Sequence, residues 1–103
     1  MDYLSKRYKK ASTMISRKIE DEVILVPIRQ SVGDLQNIYT LNEVGAFIWE
    51  YLEGENHGHK IKDMIVKEFD VTEEKAKKDL THFLKQLLEI KAIKPDGAME
   101  VSK

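Results

Sequence analysis

The spacing of apolar residues in this chain changes once, and the change falls at Leu41-Asn42. Before that point β-branched and aromatic residues gather in short runs: Met14-Ile15 with Ile19, then Val23-Ile24-Leu25-Val26-Pro27-Ile28, then Asn37-Ile38-Tyr39-Thr40-Leu41. Runs of this kind, bounded by turn-forming residues, read as three strands. Asp21-Glu22 turns the first into the second, and Ser31-Val32-Gly33-Asp34 turns the second into the third. Both connections are short enough for antiparallel hairpins. Pro27 has no N–H to give to a ladder, so it belongs at an edge, at a bulge or in a gap of the pairing.

After Leu41 the period becomes 3.6. Asn42 is a good N-cap, and Val44, Phe47, Ile48, Tyr51 and Leu52 form one face of a first helix up to Gly54, which permits a left-handed stop. Glu55-Asn56-His57-Gly58 is turn chemistry, and Ile61, Met64, Ile65 and Phe69 then repeat as a second helix. Thr72 caps a third helix with Glu73 and Glu74 in its first turn and Lys91 at its end, which suits the helix dipole at both ends. Its apolar stripe is Ala76, Leu80, Phe83, Leu84, Leu87 and Ile90, and Lys75, Lys77, Lys78, Lys85 and Glu89 lie largely off it. Pro95-Asp96-Gly97 ends regular structure.

Strands first and helices after predict an α+β domain, a small three-stranded antiparallel sheet followed by a three-helix, winged-helix-like bundle. At 103 residues the chain has room for one domain. The expected boundaries are a flexible basic arm over residues 1–12, the folded domain over 13–94 and a loose tail over 95–103.

The balance of 17 basic and 18 acidic side chains gives no overall field toward nucleic acid or an anionic membrane. The absence of cysteine removes disulfides, thiolate metal sites and cysteine nucleophiles, and fits a reducing cytoplasm. MDYLSKRYKK lacks the apolar run of a secretory signal, and no stretch approaches the ~20 apolar residues that span a bilayer, so a cytoplasmic location without a membrane partner is expected.

Enzymatic chemistry has no visible home. His57 and His59 are two imidazoles where a zinc site wants three or four ligands, and the residues around them are turn formers. His82 falls on the polar side of the third helix. The serines are not in a nucleophile elbow, the five glycines form no phosphate-binding loop, and the carboxylates occupy turns and helix starts. No catalytic residue, metal or cofactor is expected. The alternative is a winged-helix DNA-binding regulator. Its recognition helix, however, would carry Lys75, Lys77, Lys78 and Lys85 diluted by Glu73, Glu74, Asp79 and Glu89, with Gln86 alone suited to reading base edges.

The stretch LNEVGAFIWEYLEG, residues 41 to 54, resembles the PqqD family in its Leu-Asn helix start, small residue, apolar-aromatic pair and acidic-glycine end. KIKDMIVKEF over residues 60–69, Asp70-Val71, Asp79-Leu80 and the run Leu84 to Leu88 are similar to the family's next two helices, so the likeness covers about residues 14 to 94. The linker from Gly54 to Lys60 is longer than the family's usual turn. The resemblance implies a non-catalytic peptide-binding protein that holds the leader of a ribosomally made precursor peptide. It would present that leader to a modifying enzyme, such as a radical S-adenosylmethionine enzyme, in pyrroloquinoline quinone synthesis or, as favoured here, another natural-product pathway.

In the family the leader adds as a strand beside the third strand and lies against the third helix. Carried onto this chain, that places Asn37, Ile38, Tyr39 and Thr40 along the edge and Leu80, Phe83, Leu84 and Leu87 in the groove. Trp49, at the flank of the first helix, is read as packing against a neighbouring helix. The partners expected are the leader peptide and its enzyme, with no nucleic acid and with room for a homodimer.

Overall fold

The structure is a computed structural model and describes residues 3–20, 22–27 and 38–96. A 3-10 turn at Tyr3–Ser5 leads into β1 (Arg7–Lys10), β2 (Met14–Ile19), β3 (Glu22–Pro27) and β4 (Tyr39–Leu41). Helix α1 (Glu43–Glu50), β5 (Glu53–His57), α2 (Gly58–Phe69), α3 (Glu73–Glu89) and β6 (Ile93–Pro95) follow. The strands form two antiparallel three-stranded sheets, ordered β2-β3-β4 and β5-β1-β6. The α+β architecture of a small antiparallel sheet followed by three helices is present as expected.

The first two strands of the β2-β3-β4 sheet form the expected antiparallel hairpin, but not about the expected turn. Ile19 lies opposite Glu22, so the hairpin closes one residue earlier than Asp21-Glu22, with Glu20 in the left-handed region. Pro27 ends β3 opposite Met14, beyond the stretch that pairs with β4, where its missing N–H disturbs no central ladder. The expected turn at 31–34 and the strand residues Ile28 and Asn37 lie outside the described residues. Alternation sends Val23, Leu25 and Leu41 into the core. There they meet Ile48 and Leu52 from and after α1, Ile61 and Ile65 of α2, and Ala76, Leu80, Leu84 and Leu87 of α3.

Two helix caps form as read. Asn42 Oδ1 accepts the Gly45 N–H at 2.8 Å, and Thr72 Oγ1 accepts the Lys75 N–H at 3.1 Å. Helix α2 packs on α3 partly through Lys62, whose largely buried ammonium reaches Glu73 at 2.7 Å and Asp63 at 2.9 Å.

The second sheet and its connections correct four expectations. Residues 1–12 were read as a flexible arm, yet β1 is the central strand of β5-β1-β6, and Leu4 and Tyr8 are each 1% exposed in the core. The Tyr8 hydroxyl donates to the Tyr3 carbonyl at 2.7 Å, and the Gly58 N–H donates to the Lys6 carbonyl at 3.1 Å. Leu4 and Tyr8 gave this polar segment two large apolar side chains to bury. The stretch read as a turn, Glu55 to His57, is instead part of β5. The first helix ends at Glu50 rather than near Gly54. Gly54, with φ +88°, sits where four residues of β5 span two of β1, so its left-handed backbone serves a bulge. The tail expected from residue 95 begins later than that, because Pro95 pairs with Tyr8 and the Asp96 N–H donates to the Arg7 carbonyl at 2.8 Å. The rest of the tail lies outside the described residues.

Candidate functional site: an edge strand beside the third helix

Strand β4 pairs with β3 on one side only, and among the described residues its other side has no strand. An outer strand leaves alternate backbone N–H and C=O groups unpaired, ready to accept another extended chain. Beside that edge runs a groove of about 400 Å³ between β4 and α3. It is lined by Leu25, Ile38, Tyr39, Thr40 and Leu41 on the strand side and by Phe83, Gln86, Leu87, Glu89 and Ile90 on the helix side.

The structure brings some of the expected site residues together and withdraws others. Ile38 is 58% exposed, Thr40 is exposed and Tyr39 is half-buried along the edge. Phe83 and Leu87 line the groove, Leu87 as part of its floor with little surface left open. Asn37 lies outside the described residues. Leu80 and Leu84 are each 0% exposed and line no part of the groove. Both belong to the core beneath it, because they fall on the centre of the α3 stripe that faces the sheet and α2. Gln86 and Ile90 were not singled out as site residues, although their spacing of three and seven from Phe83 puts them on the same side of α3.

Phe83 divides two spaces. Beyond it a second cavity of about 450 Å³ has Val44, Ile48, Ile65, Phe69 and Val71 among its walls, with Lys75, Asp79 and His82 on its rim. The ring faces α1 at Gly45, where a Cβ would lie 3.4 Å from it, an ordinary van der Waals contact, and 3.3 Å from the Asn42 Oδ1 and the Leu41 Cβ. Glu89 is the one ionised side chain in the first groove, and at the second cavity Lys75 is tied to Asp79 at 2.9 Å. Selection at this site therefore rests on shape, apolar contact and backbone hydrogen bonds more than on charge.

The other sequence candidates fall elsewhere. His57 and His59 are exposed at the end of β5 and the start of α2, and among the described residues no group of three or more potential ligands could hold a metal ion. Trp49 is 4% exposed, in the core, and the Lys10 ammonium at the end of β1 lies 5.1 Å above its ring. Its buried indole N–H has no acceptor among the described residues. A further cleft of about 350 Å³ opens between β2 and α1 over Phe47 and Trp49, away from the β4 edge.

A sequence profile described as coenzyme PQQ synthesis protein D (PqqD) matches residues 22–93, well over half of the chain. The chain belongs to the PqqD family. The match takes in β3, β4, all three helices and the start of β6, and so includes every element that walls the groove. The structure of TbiB1 in complex with the TbiA(beta) leader peptide superposes on this PqqD-family domain with a TM-score of 0.71 at 28% identity, over 89% of this chain and 99% of that one. A lasso peptide synthetase B1 complexed with the leader peptide shares the fold, with a TM-score of 0.72 at 17% identity over 86% and 99% of the two chains. No curated protein sequence matches the chain. No described helix is long and apolar enough to cross a membrane.

Proposed function

We propose that this domain binds the leader segment of a ribosomally made precursor peptide by strand addition to β4, and presents it to a separate modifying enzyme, of the radical S-adenosylmethionine class or another. The domain itself carries out no chemistry in this reading, and it acts in the cytoplasm. One observation carries the proposal: the unpaired edge of β4 runs along a groove walled by apolar residues of α3. A strand laid on that edge gains main-chain hydrogen bonds, while its alternate side chains turn toward Phe83, Leu87 and Ile90 for selection. The leader peptide held by TbiB1 supports this choice of ligand.

Proline scanning of the edge tests the mechanism. Adjacent residues of a strand direct their N–H groups to opposite sides, so of Tyr39→Pro and Thr40→Pro one removes a donor from the open edge and the other breaks the ladder to β3. The first is expected to keep its circular dichroism and melting temperature, and to lose at least about tenfold in affinity for the leader of the precursor encoded beside its gene, equivalent to ~1.4 kcal/mol. The second is expected to melt lower. Phe83→Ala, at a half-buried position, is expected to weaken the same titration. Leader affinity unchanged in folded variants at both proline positions would overturn strand addition.

A further inference from the structure

The outward face of the β2-β3-β4 sheet is apolar and uncovered by any described element. The register puts Ile15 opposite Val26, Arg17 opposite Ile24 and Ile19 opposite Glu22, all on the side away from the buried Val23 and Leu25. Ile15 and Ile19 are each 49% exposed, and Ile24 and Val26 are half-buried. Clustered apolar side chains on a flat sheet face mark an association surface more often than scattered ones do.

Charge decides among the occupants. On this face β2 and β3 offer one cation, Arg17, and one anion, Glu22, in adjacent rows. A uniformly acidic or basic partner would set a like charge against one of them. A copy of the same face supplies the opposite of each. A two-fold axis parallel to the sheet, midway between the two facing copies and passing over the point between Arg17 and Glu22, pairs each with its counterpart twice over. Strand spacings of about 4.8 Å across and 3.4 Å along the sheet bring that axis close to Ile19 and Ile24, which then meet their own copies, with the two sheets crossing steeply.

We propose that this face is an isologous interface between two copies of the chain, held by Ile19 and Ile24 at its centre and by reciprocal Arg17–Glu22 pairs. The β4 edge stands at the opposite side of the sheet from β2 and faces α3, so each copy keeps its groove free. The proposal does not rest on the leader-binding reading, and its test uses a different readout.

Sedimentation velocity of the full chain over a wide concentration range is the experiment. The wild type is expected to pass from monomer to dimer, and Ile19→Lys to stay monomeric throughout, with unchanged circular dichroism. Ile15→Ser, at the rim, is a second and milder probe, expected to weaken the dimer. Arg17→Glu and Glu22→Arg should each raise the dimer dissociation constant at least about tenfold by setting like charges together. The double variant R17E/E22R should restore association, because both reciprocal pairs re-form. A wild type that is monomeric at every concentration overturns the proposal. So does association that survives Ile19→Lys, or a charge-swapped pair that fails to recover. Loss of the modifying enzyme by Ile19→Lys in an otherwise monomeric protein would give the face to that enzyme instead, and would likewise overturn it.

Discussion

At the residue scale, two glycines show how a position can be set by something distant in sequence. A Cβ at Gly58 would come within 2.6 Å of the Leu4 Cα and 3.0 Å of the Leu4 carbonyl oxygen. Backbone atoms cannot swing aside as a flexible side chain would. Gly58→Ala is therefore expected to push the Tyr3–Ser5 turn off the start of α2 and to cost about 1–3 kcal/mol, read as a lower midpoint in urea. Gly54 combines φ +88° with an Asp96 carboxylate oxygen 2.7 Å from where its Cβ would lie. Both glycines were legible as special, but for the wrong cause. Beside Asn56 and His57, Gly58 has the composition of a turn, whereas the close approach of Leu4 comes from the other end of the chain. By contrast Asn42 and Thr72 were read correctly, because a cap is satisfied within three residues of itself.

At the element scale, the contact of α2 with α3 carries a charge whose pH dependence can be worked out. The hydrogen bonds that Lys62 donates hold the Glu73 and Asp63 carboxyls below their ordinary range, and the same bonds, the one to Glu73 first, raise the Lys62 ammonium. A carboxylate whose folded pKa is depressed stabilises the fold above its unfolded pKa and loses that contribution as pH falls through the folded value. The melting temperature is therefore expected to drop as pH falls below about 4, where free carboxylates titrate. Lys62→Met should melt with a shallower acid limb. The raised Lys62 acts in the opposite sense: its contribution is complete below the ordinary lysine value and is lost as pH rises through the higher folded one. The stripe of α3 was legible, and so was its burial. Which members of that stripe are sealed was not: Leu80 and Leu84 are shut into the core while Phe83, on the same stripe, stands half-exposed between two cavities.

At the scale of the whole molecule, the β5-β1-β6 sheet ties three distant segments together, with β1 as its centre. Leu4 and Tyr8 enter the same core as Leu80 and Ile93. Deleting residues 1–10 removes two buried side chains and the only strand that joins β5 to β6 among the described residues. The truncated chain is expected to melt at least roughly 10 °C lower, since 1 kcal/mol shifts a domain of this size by about 4–8 °C. A melting curve unchanged by the deletion would show that the N-terminal segment contributes nothing to the fold.

The sequence alone determined the three strands β2, β3 and β4 ahead of three helices, the hairpin that joins β2 to β3, two helix caps and the buried face of α3. It also carried the likeness that pointed to the β4 edge. Each of those depends on spacings of two to seven residues, which the covalent chain holds in place whatever surrounds it. The second sheet, the docking of Leu4 on Gly58 and the division of the α3 stripe into core and groove were decided only by the tertiary structure. The segments RYKK, EGENH and IKP are short, polar and without a periodic signal, and they become strands because each supplies the backbone partner the others lack. Phe83 lines the groove because, among the described residues, the sheet beside α3 ends at β4, which the helix itself does not record.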